Sequence, residues 1–315
     1  LIALARRFDG VPGDRIGAIA GDLCDAESLC AIKDLLQSMG SSNLDCRQDG
    51  AWYDTSARAG YLFNSDISGI DQADALLLVG TMPRHEAPVL NARIRKRFVD
   101  AGRGGFPIGM IGTPSADMTY DVTVLGNGPD VLADILSGKN AFAEVLQNAK
   151  NPMIIVGHSA LTRRDAPAIY AACRELAHAC GAVTPEWQGL NILHTAASRV
   201  GALDLGFLPG PHGCDAASML RGGVEILWLL GADDVQLDRI PPETFVVYLG
   251  HHGDAAAQRA DIILPGAAYT EKPGTYVNTA GRVQRAFRAV FAPGEAREDW
   301  RIIRAFSEVL GHTLP

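Results

Sequence analysis

Polar side chains that can contact a small ligand follow three predicted strands of this sequence. The three sets are residues 80–83 (Gly-Thr-Met-Pro), 231–234 (Gly-Ala-Asp-Asp) and 250–253 (Gly-His-His-Gly). In α/β proteins, ligands bind at the carboxyl ends of strands. Asp233 and Asp234 suit either a ribose hydroxyl or a loop cap. His251 and His252 suit either proton transfer or a turn-stabilising role. Because neighbours on an extended chain point in opposite directions, we expect the two histidines not to share a metal ion and to stabilise the turn.

Motifs of the commoner catalytic chemistries are missing from the sequence. Residues 126–128 (Gly-Asn-Gly) lack the third glycine of a dinucleotide-binding motif, and Ser159 lacks the second glycine of a nucleophile elbow. None of the six cysteines form a C-x-x-C pair, although zinc and iron–sulfur ligands are usually closely spaced. We therefore expect small buried cysteines. The sequence predicts no catalytic, cofactor-binding or metal-ligating residue in this chain.

Length and composition indicate a folded protein with room for two domains. The 315 residues are 47% apolar and carry a net charge of −8, which disfavours sequence-independent binding of nucleic acid. No apolar run is long enough to span a bilayer, so we expect membrane association only through partners. Because the chain begins with Leu1 instead of Met, we expect a fragment whose targeting segment would lie upstream.

Apolar strands alternate with amphipathic helices, which predicts mainly parallel sheets with helices on both faces. Strands are predicted at 13–21, 43–46, 73–80, 106–112, 120–125, 153–157, 223–231, 244–250 and 261–264. Helices are predicted at 25–40, 86–101, 129–136, 141–149, 166–180, 192–203 and 295–310. Because the pattern restarts after Pro152, we predict two doubly wound, Rossmann-like α/β units at residues 1–150 and 151–315.

The predicted helix at 86–101 combines an apolar stripe with a basic face. Val89, Ile94 and Phe98 are expected to be buried. Its basic residues are Arg93, Arg95, Lys96 and Arg97. They form either a solvated helix face or a contact with another protein, and we favour the solvated face.

The segment at 261–284, DIILPGAAYTEKPGTYVNTAGRVQ, is the feature around which the sequence is organised. A short strand is followed by Pro265-Gly266 and a polar, turn-rich stretch. Such a segment is either a connection or a place where α/β proteins bind ligands or partners. Its distinctive residues are Leu264, Pro265, Glu271, Lys272, Gly274, Thr275, Asn278, Thr279, Gly281, Arg282, Val283 and Gln284.

This combination resembles the signature of the molybdopterin-dependent oxidoreductase superfamily. The preceding residues 250–261, GHHGDAAAQRAD, narrow the match, because they are similar to the large iron–sulfur subunits of respiratory complex I. The resemblance covers nearly the whole chain. It implies a molybdopterin-oxidoreductase-like fold and a subunit of NADH:quinone oxidoreductase, the translocase that passes electrons from NADH to a quinone and couples this to proton translocation.

The residues that would carry molybdenum chemistry in this superfamily are replaced here. Residues 43–45 (Asn-Leu-Asp) match the strand end that precedes the metal ligand, but the ligand and its neighbour correspond to Ala51 and Trp52. Alanine has no donor atom for a metal. The Asn and His that could contact a pterin nucleotide correspond to Met82 and Ala87. The resemblance therefore implies that the fold remains while the molybdenum site is lost.

The resemblance also implies where such a chain would work. It predicts a scaffold with no cofactor of its own, because the iron–sulfur clusters of this family lie mainly in a Cys-rich N-terminal region that has no counterpart here. Its partners would be other subunits of the complex I peripheral arm, with no nucleic acid and no membrane span. That arm faces the bacterial cytoplasm or the mitochondrial matrix.

Two other functions remain open from the sequence. One is an active molybdopterin oxidoreductase of the formate dehydrogenase type, with a metal held only by pterin dithiolenes. The other is a small-ligand binding module that reuses the former cofactor site. The second predicts a pocket lined by the strand ends near Thr81, Asp233 and His251.

Overall fold

The predicted alternation of strands and helices is present in the computed structural model, which describes residues 1–102, 104–114 and 117–314. The strands are β1 Ile16–Ala20, β2 Asn43–Asp45, β3 Ala75–Val79, β4 Ile108–Ile111, β5 Thr123–Gly126, β6 Pro152–Val156, β7 Leu190–Ile192, β8 Ile226–Leu230, β9 Phe245–Gly250, β10 Ile262–Pro265, β11 Gly274–Val277 and β12 Val283–Ala286. The helices are α1 Ile2–Phe8, α2 Ala26–Ser38, α3 Pro83–Glu86, α4 Pro88–Ala101, α5 Asp130–Leu136, α6 Phe142–Asn148, α7 His158–Leu161, α8 Ala166–Ala179, α9 Arg199–Asp204, α10 Ala216–Ser218, α11 Ala255–Arg259 and α12 Asp299–Leu310.

Unit 1 contains Leu1–Gly50, Ala196–Asn278 and the chain from Arg282 onward. Its five strands are all parallel, in the order β10-β9-β8-β1-β2. β1 and β8 are buried along their whole length, as continuous apolar strands covered on both faces should be. The chain winds in one direction from β1 to β2 and in the other from β8 to β10. The strand order therefore reverses between β1 and β8.

Unit 2 contains Ala51–Thr195 and Thr279–Gly281. It repeats the arrangement with a parallel sheet in the order β5-β4-β3-β6-β7, and its order reverses between β3 and β6. Two doubly wound parallel sheets confirm the predicted fold class. Among the described residues, no helix is both long enough and apolar enough to span a membrane.

The division of the chain differs from the predicted boundary at residue 150. That position lies inside unit 2, between α6 and β6, because β6 pairs with β3. Unit 1 is completed by the later strand β8, which pairs with β1 in the register Ile16↔Ile226. Strand and helix periodicity reveals each element but not the strand beside which it lies, so the sequence pattern could not give this division.

Three predicted helices differ from the structure at their N-terminal ends. The helix predicted at 295–310 begins at Asp299. The helix predicted at 192–203 is strand β7 followed by a loop and the short helix α9. The helix predicted from residue 86 is interrupted at Ala87, and Pro88 begins α4. Proline is favoured in the first turn of a helix, where its missing N–H would be unpaired anyway. Consequently Val89, predicted to be buried, is 87% exposed, whereas the neighbouring Leu90 and the predicted Ile94 are buried.

The segment at 261–284 is more regular than predicted. After β10 it forms an antiparallel hairpin, in which β11 pairs with β12 from Gly274↔Ala286 to Val277↔Val283. The hairpin loop contains Gly281 at φ +81°, a conformation that glycine adopts without strain. The Gly-Arg-Val-Gln sequence therefore ends the hairpin loop and begins β12 at Val283.

Candidate functional site

The carboxyl ends of β1, β8 and β9 surround a cavity of about 630 Å³ in unit 1. It lies where the strand order reverses, which is the usual ligand position in doubly wound sheets. Asp233 and His251 line it, as the binding-module hypothesis predicted, together with Asp22 at the end of β1. Thr81 follows β3 in unit 2 and is not among the lining residues. The predicted strand ends are therefore only partly brought together.

Carboxylates outnumber cations in the lining of this cavity, where Lys272 is the lysine present. The carboxylates are Asp22, Asp233, Asp234, Asp254 and Asp299. Asp233 accepts a hydrogen bond from the Tyr248 hydroxyl at 3.0 Å, and burial raises the pKa of Asp233 despite that bond. Burial also raises the pKa of Asp22, an effect that Arg199 partly offsets. Such a lining disfavours a phosphate group, because like charges in a partly buried site repel.

The His251 and His252 rings pack edge to face, with their centroids 4.6 Å apart and an interplanar angle of 71°. The expectation that they point in opposite directions is wrong, because they follow the end of β9 in a bend, where the alternation of a strand no longer applies. Burial, and then the neighbouring His252 and Lys272, lower the pKa of His251. Within the described ranges, no group of three His, Cys, Asp or Glu side chains could hold a metal ion.

Lys272, in the segment 261–284, forms a buried ion triad at one side of the cavity. Its Nζ lies 2.7 Å from Asp25 Oδ2 and 2.5 Å from Asp299 Oδ2. Asp25 also caps α2 as predicted, since its Oδ1 accepts from the Ser28 backbone N–H at 2.8 Å. Asp299 is the first residue of α12. The triad thus joins the start of two helices to the loop before the hairpin.

Replacing Asp299 by Asn should change how stability depends on pH. Burial raises the pKa of Asp299 to about 6, although Lys272 opposes this. A pKa above its ordinary value of 3.8 means that the folded state holds the proton more tightly. The stability that this tighter proton binding adds to the folded state is therefore present below pH 4 and lost as the pH rises through 6. We expect the Asp299→Asn variant to become more stable relative to wild type between pH 4 and 7, measured by urea unfolding.

An Asp71 variant provides a control, because its stability relative to wild type should change with pH in the opposite direction. The hydrogen bond from Arg93 is the main cause of a lowered pKa at this exposed carboxylate. Its contribution is therefore present above pH 4 and lost on acidification, so Asp71→Asn should lose stability relative to wild type as the pH rises. Parallel pH profiles for the two variants would contradict the assignment of the Asp299 pKa.

Other residues of the segment also hold the backbone. Glu271 accepts from the Ala268 N–H at 2.9 Å, and the Thr275 hydroxyl donates to Glu27 at 2.7 Å. Asn278 accepts from the Arg282 N–H across the hairpin loop at 2.9 Å. These bonds give the segment a structural role that the sequence pattern did not specify.

The Asn-Leu-Asp strand end also holds the structure together. The Asn43 amide donates to the carbonyls of Asp14 and Ile16, and its oxygen accepts from the Cys214 N–H. Asp45 makes two hydrogen bonds with the Arg47 guanidinium at 2.8 and 3.0 Å. Both side chains are buried. Neither needs a cofactor to complete its hydrogen bonds.

Sequence reasoning missed one buried cation, Arg199 on α9. It is 1% exposed and lies 3.1 Å from Asp49 and 3.7 Å from Asp22. No local pattern marks it, because its partners are far away along the chain. The prediction of one helix at 192–203 also gave no indication that Arg199 is buried.

In unit 2, the positions that correspond to molybdenum chemistry are occupied by packing groups. Ala51 is 1% exposed, and the Trp52 ring lies 5.6 Å from Tyr170. Met82 is buried, and its backbone N–H donates to Glu86 at 2.6 Å. The Thr81 hydroxyl donates to the same carboxylate at 2.9 Å. Glu86 therefore closes the turn after β3.

The basic face of α4 is largely engaged within unit 2. Arg93 pairs with Asp71, Lys96 pairs with Asp100, and Arg97 donates to the Ala73 carbonyl at 2.7 Å. Arg95 is exposed. These contacts favour the solvated helix face over a protein contact. All six cysteines are free, and Cys24, Cys46, Cys173 and Cys180 are buried as expected, whereas Cys30 and Cys214 are partly exposed.

A molybdenum–pterin group does not fit these residues. The position that would supply the metal ligand carries only the buried methyl group of Ala51. The positions that would contact the pterin nucleotide carry Met82 and Ala87. The cavity in unit 1 is lined by carboxylates, which would repel the phosphates of such a nucleotide.

Two doubly wound parallel sheets, with the segment 261–284 beginning at the edge strand β10 of one of them, define the class of this protein. The molybdopterin oxidoreductase family profile matches residues 5–309, so the chain belongs to that family. "NADH dehydrogenase [ubiquinone] iron-sulfur protein 1, mitochondrial" of Solanum tuberosum is 45% identical over 315 residues, which are 100% of this chain and 41% of that protein.

Two further relatives carry similar names. The "NADH-ubiquinone oxidoreductase 78 kDa subunit, mitochondrial" of Neurospora crassa is 47% identical, over 96% of this chain and 40% of that protein. The "NADH-ubiquinone oxidoreductase 75 kDa subunit" of Reclinomonas americana is 41% identical, over 96% of this chain and 45% of that protein. The chain thus spans less than half the length of these relatives.

Solved structures support the fold. The formyltransferase/hydrolase complex FhcABCD from Methylorubrum extorquens matches with a TM-score of 0.69 and 16% identity, over 98% of this chain and 96% of that one. Acetylene hydratase from Pelobacter acetylenicus matches with a TM-score of 0.55 and 12% identity, over 99% of this chain and 58% of that one. At these identities the likeness concerns the fold alone.

Proposed function

We propose that this chain is the molybdopterin-oxidoreductase-like part of a complex I subunit and serves as a scaffold in NADH:ubiquinone oxidoreductase. Relatives that are 41–47% identical over nearly the whole chain bear the names of its 75 and 78 kDa subunits or of its iron–sulfur protein 1. In this proposal the chain works in the peripheral arm, beside other subunits. The arm faces the bacterial cytoplasm or the mitochondrial matrix.

The main support for a scaffold role is that buried side chains without reactive groups occupy the positions of the metal ligand and the pterin contact. Ala51 and Met82 stand where a metal ligand and a pterin contact would be, and both are buried. The central charge of the conspicuous segment is neutralised within the fold, since Lys272 pairs with Asp25 and Asp299. We propose that no residue of this chain is catalytic, cofactor-binding or metal-ligating. Iron–sulfur clusters would belong to the portion of the subunit outside the matched region.

A tagged natural protein, purified from its source cells under mild conditions, tests this proposal. We expect NADH:ubiquinone oxidoreductase activity and other subunits of that enzyme to copurify with it. Iron is expected in the sample, whereas molybdenum, tungsten and pterin should be far below one per chain by elemental analysis and pterin fluorescence. Stoichiometric molybdenum or tungsten with pterin would instead identify an active molybdopterin oxidoreductase.

A further inference from the structure

Residues 282–291, RVQRAFRAVF, form an exposed strip that is both basic and apolar, called here the basic ribbon. It consists of Arg282, β12 and the five residues that follow that strand. Four of its large apolar side chains are more than half exposed, namely Val283 (64%), Phe287 (77%), Val290 (54%) and Phe291 (81%). Single apolar residues are normal on a surface, but four large ones exposed within nine residues make this strip a candidate interaction surface.

The charge of the basic ribbon is opposite to that of the whole chain. It contains Arg282, Arg285 and Arg288, whereas no Asp or Glu occurs from residue 272 to 294. The chain as a whole carries a net charge of −8. Among the described residues, the ion pairs found involve none of these three arginines. Their positive charges are therefore available to an acidic partner.

The arginines are already arranged beside the aromatic rings. The Arg285 guanidinium lies 5.8 Å from the centre of the Phe287 ring, and that of Arg288 lies 4.3 Å from the centre of the Phe291 ring. Arginine–aromatic pairs are typical of the centres of protein interfaces, where the ring is buried and the guanidinium binds a carboxylate. The two pairs thus provide two adjacent anchors.

The basic ribbon also offers a free strand edge. Within the described part of the chain, β12 pairs only with β11. The Asn278 N–H donates to the Arg282 carbonyl across the loop, so Gln284 and Ala286 turn their backbone groups toward β11. By the same alternation, Val283 and Arg285 turn their N–H and C=O groups toward the outer edge. An unpaired edge of this kind is a template for another strand.

We propose that the basic ribbon binds a segment of another polypeptide chain that carries both acidic and apolar residues. The segment adds as a strand to the outer edge of β12, with its carboxylates on Arg285 and Arg288 and its apolar groups against Phe287 and Phe291. Lipids and nucleic acids cannot pair with a strand edge. This inference depends on the proposed function in one respect, because its test uses the assembly that purifies with the natural protein.

Hydrogen–deuterium exchange tests the proposal on the amides of Val283, Arg285 and Phe287. The isolated chain is compared with the tagged natural protein purified together with everything that binds it. We expect these amides to exchange at least tenfold more slowly in the purified assembly, and cross-linking there should join residues 282–291 to an acidic segment outside the chain. Equal exchange in the two samples would overturn the proposal.

Other occupants give different outcomes. Protection of the isolated chain by vesicles of phosphatidylcholine and phosphatidylglycerol, or by a single-stranded oligonucleotide, without protection in the assembly would overturn the proposal. Protection that grows with the concentration of the isolated chain would instead identify a second copy and overturn it too. If NADH oxidation copurifies with the protein but the amides of the basic ribbon are not protected, only this inference is contradicted. A ribbon protected by another polypeptide, without that activity, contradicts only the proposed function.

Variants add a test of the charges and rings. Arg285→Glu with Arg288→Glu should weaken recovery of the assembly at least tenfold, and so should Phe287→Ser with Phe291→Ser. Because these side chains are exposed, thermal unfolding of the isolated variants should match wild type. Arg95→Glu and Val89→Ser change exposed residues on α4 and serve as matched controls. Equal loss in the controls and the ribbon variants would remove the assignment to this surface.

Discussion

Replacing Lys272 by Met should destabilise unit 1 by about 3–5 kcal/mol, because it leaves two buried carboxylates without their cation. Lys272 and Asp25 are 4% and 1% exposed, and Asp299 is 8% exposed. Removing one member of a buried ion group costs far more than removing all of it. Urea unfolding of the purified chain at pH 7 would measure the loss.

The triple variant Lys272→Met/Asp25→Asn/Asp299→Asn is the informative companion. Asn caps helices about as well as Asp, so α2 should keep its cap. The triple variant should therefore recover more than half of the stability that the single variant loses. Lys139→Met, at an exposed position, should stay within about 0.5 kcal/mol of wild type. A single variant as stable as this control would mean that the triad does not hold the loop.

Asn43→Asp should destabilise the chain by about 2–4 kcal/mol at pH 7, although the side chain keeps its size. The Asn43 amide lies 2.8 Å from the Asp14 carbonyl oxygen and 3.0 Å from that of Ile16. A carboxylate there would place a negative oxygen against two carbonyl oxygens in a buried site. The free energy of unfolding, measured by urea denaturation, should fall accordingly.

Acidification should reduce this deficit. The folded state would favour the protonated form of the new carboxyl group, so its pKa would be raised and the variant would recover stability as the pH falls. Asn148→Asp changes an exposed residue at the end of α6 and should lie within about 0.5 kcal/mol of wild type at every pH. A deficit independent of pH would show that lost packing, and not charge, is responsible.

The sequence was sufficient for the fold class because continuous apolar strands such as β1, β3, β6 and β8 are buried on both faces. The cap at Asp25 was also predictable, since it depends only on residues three positions apart. The partners of Lys272 and Arg199 were not predictable, because those contacts join residues distant in the chain. The prediction for the two histidines was wrong for a local reason, because β9 ends at Gly250, immediately before His251.

The candidate cavity shows the same limit. Strand ends indicated Asp233 and His251 correctly as lining residues. They could not show that Thr81 belongs to the other unit, because membership depends on strand order. The lack of a donor atom at the position of the superfamily's metal ligand was visible in the sequence at Ala51. The structure added that Glu86 closes the turn after β3 and that Lys272 joins two helix starts.

The division of the chain also affects how it folds during synthesis. Nearly all of unit 2 is one continuous stretch, so its residues are synthesised before those of β8. Unit 1 cannot complete its sheet at that stage, since β1 pairs with β8 only after residue 226 has been made, and α12 comes later still. Until then β1 exposes an apolar edge, which is a hazard for aggregation. Cells making this protein therefore have reason to protect residues 1–50 with chaperones.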